Sequence, residues 1–198
     1  AVAKEQLQQG RQAYIIYPVI EESYALDIAG AKKMYNELKT GEFKEFKLGL
    51  IHGRLKQSEQ DKVMQEFRNK EVDILISTTV LEVGIDVPNA TCMIVESAER
   101  FGLSQLHQLR GRIGRGAFAS FCILLSDIKT QEARARIEAM VRYNDGFRIA
   151  EEDLKIRGPG EFFGRRQHGL GELRIARPLT QMQMLKLARE EAIKLINA

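Results

Sequence analysis

Five short and almost continuous apolar segments alternate with segments of helical periodicity, and this alternation constrains the fold more than any other feature. A strand covered by helices on both faces has no solvent side, so it is apolar along its whole length. The five segments are QAYIIYP (12–18), KLGLIH (47–52), VDILIS (72–77), TCMIVES (91–97) and SFCILLS (120–126). The alternation predicts an α/β fold with a parallel sheet, helices on both faces and right-handed crossovers.

Three helices are predicted between these strands. Residues 28–39 have helical periodicity, and residues 58–69 place Val63, Met64 and Phe67 along one face. Ser58 with Asp61 resembles a capping box and predicts where that second helix begins. A third helix is expected from residue 104 to about residue 111.

The pattern becomes helical after residue 126. An amphipathic helix is predicted over 130–142 and a second, shorter helix near 144–151, which together form a helical hairpin. The segment DLKIRGPGEFFGRRQHG (153–169) contains four glycines and a proline, so it predicts an ordered loop. A last helix is expected from Thr180, and it carries Leu185, Ala188, Ala192 and Ile196 on one stripe. We therefore divide the chain into domains at 1–126 and 127–198.

Composition excludes several classes of protein. Cys92 and Cys122 lie in apolar segments without a CxxC pairing, and no histidine has a partner at ligand spacing, so neither a metal site nor a disulfide framework is expected. No apolar run approaches the roughly 18 residues of a membrane helix, and we expect no membrane partner and a cytoplasmic location. The chain has no initiator Met, and we expect it to be part of a longer protein.

Charge is informative only where it is concentrated. The net charge of +3 on 198 residues favours no partner, but residues 153–177 hold six Lys or Arg against three acidic residues. Ligands of open parallel sheets bind beyond the carboxyl ends of the strands. Three loops that follow strands are therefore the first site candidates: 52–55, 77–88 and 99–116.

The segment QLRGRIGRG, residues 108–116 and here named the arginine segment, has the pattern of a phosphate-binding element. Arg112 and Arg115 are three residues apart, so a helix or tight helical exit puts both guanidiniums on one side, and each can bind phosphate oxygens bidentately. Gly111 and Gly114 leave room for a close backbone or a partner domain. The alternative is a solvated helix end with salt bridges.

The segment TTVLEVGIDVP (78–88) also has polar groups where a strand ends. Thr78 and Thr79 can donate hydroxyl and backbone N–H groups to a phosphodiester, and Asp86 can accept a hydrogen bond from a ribose hydroxyl. The alternative makes Thr78 a turn former and Asp86 a turn residue before Pro88.

These two segments, in this order and spacing, resemble motifs V and VI of the superfamily 2 helicases, and the resemblance covers essentially the whole chain. It implies that residues 1–126 form a RecA-like domain, the second of two helicase motor domains. It implies ATP contacts for Gln108, Gly84, Asp86, Arg112 and Arg115, the two arginines being catalytic arginine fingers. It implies DNA contacts for Thr78, Thr79, His52 and Gly53.

The tail narrows the resemblance further. The segment DGFRIAEEDLKIRGPGEFFGRRQHGLGELRIA (145–176) is similar to the RecG family of bacterial branch-migration helicases, whereas transcription-repair coupling factors tend to carry GAGELLG followed by acidic residues. This resemblance implies that the hairpin and loop couple motor closure to translocation on duplex DNA, with Arg157 and Gln167 in coupling and Arg165 and Arg166 in DNA contact. Without the resemblance, the residues indicate only a basic loop with glycine hinges. Such a loop either contacts phosphates or packs against the motor domain in a structural role.

A phosphate-cradling GxxxxGK[ST] and the acidic Mg²⁺ motif that follows it do not occur in these 198 residues. ATP and Mg²⁺ are therefore expected to be held mainly by the first motor domain, and this chain alone to neither bind ATP tightly nor hydrolyse it. The expected function is that of the C-terminal motor half of an ATP-dependent DNA helicase that remodels stalled forks and Holliday junctions in recombination and repair. Its expected partners are branched or duplex DNA and the first RecA-like motor domain and wedge domain of its parent chain.

Two other functions stay open. One is the motor of a transcription-repair coupling factor, and the other is a non-catalytic nucleic-acid-binding or protein-binding module of the same fold.

Overall fold

The structure is a computed structural model, and it describes residues 2–18, 24–78 and 87–157. Several predicted site residues lie outside these ranges, namely Thr79, Gly84, Asp86, Arg165, Arg166 and Gln167. The predicted loop beyond residue 157 and the predicted helix from Thr180 also lie outside them.

The described residues form a five-stranded parallel sheet in the order β2-β3-β1-β4-β5. The strands are β1 (Gln12–Tyr17), β2 (Leu48–Ile51), β3 (Ile74–Thr78), β4 (Ala90–Val95) and β5 (Phe121–Leu124). Each strand lies within two residues of its predicted position, because a buried parallel strand is recognisable from its apolar run alone. The predicted α/β class is confirmed.

Six α-helices accompany the sheet in the part of the chain that the structure describes. They are α1 (Val2–Gln8), α2 (Tyr24–Thr40), α3 (Gln57–Arg68), α4 (Leu103–Arg110), α5 (Gln131–Arg142) and α6 (Gly146–Arg157). A short 3₁₀ helix, Ala98–Arg100, leads from β4 into α4.

The helices cover both faces of the sheet, as the alternation of side chains along β1 shows. Tyr14 and Ile16 belong to one buried cluster, which α3, α4, α5 and α6 complete. Ala13 and Ile15 belong to a second cluster, which α1 and α2 complete. Successive side chains of a strand point to opposite faces, so one strand supplies both cores.

The structure differs from the sequence predictions at several places, including the start of α2, which lies at Tyr24 and not at residue 28. The helix α1 was not predicted, although Ala3 and Leu7 are spaced to share one buried face. The helix α6 continues to Arg157, past the predicted end near 151, because Ile156 still packs against the core and the first glycine is at 158. Residues 153–157, which were predicted to begin the loop, therefore belong to α6.

The predicted start of α3 is also wrong in detail. The capping residue is Lys56, whose backbone N–H donates to the Glu59 carboxylate at 2.9 Å. Ser58 and Asp61 both lie inside the helix. The structure thus uses the acidic half of a capping box two residues earlier than the hydroxyl pattern indicated.

A buried glutamine fastens the amino ends of three strands together. Gln12, the first residue of β1, is 1% exposed, and its amide nitrogen donates to the carbonyl oxygens of Phe67 at 2.5 Å and Val72 at 2.7 Å. Its side-chain oxygen accepts from the Asn89 amide at 3.1 Å. Gln12 therefore joins the end of α3 to the segments that enter β3 and β4.

Replacing Gln12 by leucine is expected to destabilise the chain by about 2–3 kcal/mol, because two buried carbonyl oxygens lose their donor. The free energy of unfolding from urea denaturation measures this loss. Gln8→Leu, at an exposed position of α1, is the matched control and should change stability by less than about 0.5 kcal/mol. Equal stability of the two variants would contradict the role given to Gln12.

Candidate nucleotide and nucleic-acid interface

The predicted site residues lie at two opposite edges of the sheet. His52 and Thr78 stand where β2 and β3 end, at the carboxyl edge. The arginine segment lies at the amino edge, because α4 starts beyond the carboxyl end of β4 and returns the chain to the start of β5. A Cβ on Gly116 would lie 2.6 Å from the carbonyl oxygen of Pro88, which precedes β4.

The three candidate loops all begin where a strand ends, as predicted, but two of them continue to the amino edge. Each crossover between parallel strands must bring the chain back across the sheet, so a long connection touches both edges. The 77–88 connection begins at the carboxyl edge with Thr78 and ends at the amino edge with Pro88. The arginine segment ends a connection of the same kind.

The arginine segment is a tight exit from α4 that one apolar side chain anchors. The Gly111 N–H donates to the His107 carbonyl at 3.0 Å and ends the helix. Ile113 is 8% exposed and belongs to the main core cluster. Gly114 has φ +77°, a backbone conformation that glycine adopts without steric cost. The loop on either side of Ile113 is thus fixed in place.

Arg112 and Arg115 flank this anchor. Arg115 is exposed, and its Nε donates to the Gly111 carbonyl at 2.9 Å, so the backbone of the segment itself orients the guanidinium. Arg112 is half-buried, and within the described ranges its guanidinium makes no hydrogen bond or ion pair. Gln108 lies exposed on α4. For Arg112, the described residues give no salt bridge of the kind that the alternative of a solvated helix end needs.

The third arginine of the segment has a different role, which the sequence reasoning missed. Arg110 donates from one guanidinium nitrogen to the carbonyl oxygens of Met140 at 2.7 Å and Tyr143 at 2.8 Å. Its other terminal nitrogen lies 3.1 Å from Nδ1 of His107. The last carbonyls of a helix need donors from outside it, and Arg110 supplies them to α5.

The same contact surface includes the first residue of α6. A Cβ on Gly146 would lie 3.0 Å from Nε2 of His107, so α6 begins in close contact with α4. The hairpin of α5 and α6 is therefore attached to the helix that ends in the arginine segment.

At the carboxyl edge, two buried polar side chains lie on neighbouring strands. Ile51 pairs with Ser77, so His52 and Thr78 follow side by side. His52 is 6% exposed and Thr78 is fully buried, and among the described residues His52 Nδ1 and Thr78 Oγ1 have no hydrogen-bond partner. Such orphaned atoms cost about 1–3 kcal/mol each unless a polar ligand pairs with them. Gly53 follows in an exposed turn.

Burial lowers the pKa of His52, and the positive charges of Lys32 and Arg54 lower it further. The imidazole is therefore neutral at pH 7, with one N–H donor and one acceptor nitrogen. A neutral histidine can hydrogen-bond a phosphate oxygen without contributing charge.

The cysteines are core residues, as expected. Both are free, and they belong to the clusters on opposite faces of the sheet. Burial raises the pKa of Cys92 to about 11 and that of Cys122 above its usual value, so both are thiols at neutral pH. Within the described ranges no three His, Cys, Asp or Glu side chains are grouped so that they could hold a metal ion.

The described helices were also compared with the length and apolarity that a membrane span requires. None of them meets that requirement.

The family model for the helicase conserved C-terminal domain matches residues 1–117. The chain belongs to this helicase C-terminal domain family. A second model, for domain 3, C-terminal, of the ATP-dependent DNA helicase RecG, matches residues 143–198. The two models together cover the arginine segment, α6 and the residues that follow it, whereas α5 lies between them.

Curated relatives extend the similarity over nearly the whole chain. The chain is 51% identical to the ATP-dependent DNA helicase RecG of Synechocystis over 96% of its length, 49% identical to that of Bacillus subtilis over 99%, and 52% identical to that of Thermotoga maritima over 95%. It spans 23%, 29% and 24% of these relatives, about a quarter of each. The predicted resemblance to RecG is confirmed.

Solved structures agree with the fold. RecG bound to a three-way DNA junction is similar with a TM-score of 0.70 and 46% identity, over 93% of this chain and 23% of that one. Domain 2 of the DEAD-box helicase Mss116p, bound to an RNA duplex, is similar with a TM-score of 0.56 and 19% identity, over 77% of this chain and 60% of that one. The second likeness concerns the fold alone, and the predicted RecA-like motor fold is confirmed.

Gly116→Ala is expected to lower the free energy of unfolding by about 1–3 kcal/mol, since its Cβ would collide with the backbone of Pro88. Gly111→Ala is the matched control, because its φ of −68° suits alanine and the nearest atom would lie 3.4 Å away. Urea denaturation of both variants gives the comparison. Equal stability of the two variants would show that the backbone at Gly116 does not lie against Pro88.

Proposed function

We propose that this chain is the C-terminal motor half of an ATP-dependent DNA helicase or translocase that remodels branched DNA. The observation that carries the proposal is the arginine segment, in which Arg112 and Arg115 flank the buried Ile113 at the amino edge of a RecA-like sheet. The relatives are named ATP-dependent DNA helicases, and one similar structure is of RecG bound to a three-way DNA junction. Both names support the proposal.

At the amino edge, the two arginines are proposed to act on the phosphates of ATP held by the first motor domain. Guanidiniums fixed before the reaction stabilise charge that develops on the transferred phosphoryl group, and such an arginine accelerates the reaction by about 10³–10⁵. Gln108, Gly84 and Asp86 are proposed to complete this half of the nucleotide site. ATP with Mg²⁺ supplies the transferred phosphoryl group when the two motor domains close on it.

The chain alone is proposed to be inactive as an ATPase and to bind ATP weakly. It offers guanidinium donors for phosphate, but its sequence contains no P-loop to hold the nucleotide. The first motor domain and the wedge domain are proposed to belong to the same parent protein, in the bacterial cytoplasm. The division of this chain at residue 126 remains a proposal of the same kind.

At the carboxyl edge, His52, Gly53, Thr78 and Thr79 are proposed to contact the DNA backbone. The position of these residues supports the assignment, since they lie where two neighbouring strands end and Gly53 is exposed there. Contacts of this kind position the strand and carry no sequence information. Nucleotide and DNA would then be bound at opposite edges of one sheet.

The hairpin is proposed to couple closure of the two motor domains to the action of the segment after α6 on DNA. Arg110 joins α4 to α5 two residues before Arg112, so a shift of the arginine segment on ATP is passed to the hairpin. The segment after α6 carries Arg165, Arg166 and Gln167, which we propose for DNA contact and coupling together with Arg157.

The test is DNA-stimulated ATP hydrolysis and fork unwinding by the full-length parent protein. Arg115→Ala is expected to lower the hydrolysis rate by at least about a thousandfold, whereas Gln167→Ala should hydrolyse ATP but fail to unwind. Arg134→Ala, an exposed arginine of α5 whose ion pair with Glu138 is 3.9 Å long, is the matched control and should behave as wild type.

Normal hydrolysis by Arg115→Ala would overturn the arginine-finger assignment. A non-catalytic binding module would then be the better account of the chain. Unwinding by Gln167→Ala at the wild-type rate would overturn the coupling assignment alone.

Arg110→Gln separates coupling from hydrolysis. The carbonyls of Met140 and Tyr143 lose their charged donor, so the hairpin should follow the motor domain poorly. We expect the number of base pairs unwound per ATP hydrolysed to fall severalfold while much of the hydrolysis rate is kept. Arg134→Gln serves as control, and an unchanged ratio in Arg110→Gln would mean that Arg110 has only a structural role.

A further inference from the structure

An open cleft lies at the amino edge, beside the arginine segment. This amino-edge cleft has a volume of about 630 Å³, and its lining includes Arg11, Arg68, Lys70, Pro88, Asn89 and Phe118. It is formed by the loops through which the chain enters β1, β3, β4 and β5, together with the last residue of α3. None of the residue roles proposed above uses it.

The centre of the cleft is an aromatic ring stacked on an arginine. The guanidinium carbon of Arg11 lies 3.2 Å from the ring centroid of Phe118, which is a close cation–π contact. Phe118 is nevertheless 48% exposed. One ring face is therefore held by Arg11, and the surface that remains exposed opens into the cleft.

The charges around this ring have one sign. Arg11, Arg68 and Lys70 line the cleft, and no carboxylate does so among the described residues. Glu71, the nearest acid in the sequence, accepts a hydrogen bond from Asn69 at 3.3 Å and lies outside the lining. An aromatic face among cations favours a ligand that combines a flat ring with negative charge, which describes a nucleotide.

The walls of the cleft are built firmly. The Asn89 amide donates to the Gly10 carbonyl at 3.1 Å and to Gln12, and the backbone at Gly116 touches Pro88. Lys70 has φ 62°, a conformation uncommon outside glycine, and its N–H donates to the Phe67 carbonyl at 3.1 Å. A surface fixed in this way loses little conformational entropy when it binds a ligand.

We propose that the amino-edge cleft stacks the base of the nucleotide whose phosphates meet Arg112 and Arg115. This inference rests on the proposed function. Phe118 follows Arg115 by three residues, so their Cα atoms are at most about 11 Å apart, and Gly116 of the arginine segment lines the cleft. The residues proposed for DNA lie at the opposite edge, which favours ATP over a nucleic-acid strand as the source of the base.

Phe118→Ala in the full-length parent protein tests the stacking. Loss of one stacked base weakens binding by about fivefold to a hundredfold, so the KM for ATP and the Kd of ADP from calorimetry should rise within that range while kcat at saturating ATP is kept. Phe118→Trp should restore both constants. Phe147→Ala, which removes an 84% exposed aromatic ring of α6 outside the cleft, is the matched control and should change neither.

Two further measurements identify the source of the base. Inorganic tripolyphosphate has no base, so its inhibition constant should be the same in Phe118→Ala and wild type. The Kd for a model fork without nucleotide should also be unchanged. If Phe118→Ala binds the fork more weakly while its KM for ATP is unchanged, the ring stacks a base of the DNA strand. If the fork Kd, the KM for ATP and the Kd of ADP are all unchanged, Phe118 only packs against Arg11. Either result overturns the inference.

The outcome is independent of the arginine-finger test. Arg115→Ala is expected to change kcat, whereas Phe118→Ala is expected to change the KM for ATP and the Kd of ADP. Normal hydrolysis by Arg115→Ala would overturn the proposed function and leave the ADP affinity of Phe118→Ala as a separate result.

Discussion

The structure depends on one constraint, which is that every connection in a parallel sheet must return the chain from the carboxyl edge to the amino edge. Two long crossovers therefore reach both edges of the sheet. The first begins with Thr78 and ends with Pro88, and the second passes through α4 to the arginine segment. The proposed DNA and nucleotide contacts are separated by the length of the strands and joined by the elements that run between them.

Helix α4 is part of the core and also leads directly into the arginine segment proposed to act on ATP. Its apolar side packs into the main core through Leu103 and Leu106, and its last turn holds the hairpin through Arg110. The arginine segment starts where this helix ends. Movement of Arg112 relative to the sheet would therefore require α4 to move with it or the backbone to bend at Gly111. The end of α5 is hydrogen-bonded to the same turn of α4. The proposed coupling between the nucleotide and the tail would run through this turn.

The strands could be predicted almost to the residue, because a run such as QAYIIYP has few alternatives once it must be buried on both faces. The end of α4 was also predictable, since a helix was expected to end near residue 111 and Gly111 is its C-cap. The edge on which the arginine pair lies was not, because that follows from the direction in which α4 crosses the sheet. Gln12 and Arg110 were missed for a related reason: a polar side chain that fastens loops distant in sequence leaves no periodic signal.

The central claim is that the arginine segment closes on ATP from across a cleft between two motor domains. Hydrogen exchange of residues 111–116 in the full-length protein with fork DNA tests it, comparing ADP with ADP plus aluminium fluoride, which mimics the transferred phosphoryl group. The account predicts slower exchange of these amides in the aluminium fluoride complex, and loss of that protection in Arg112→Ala. Exchange that is the same in both nucleotide states of the wild-type protein would contradict it.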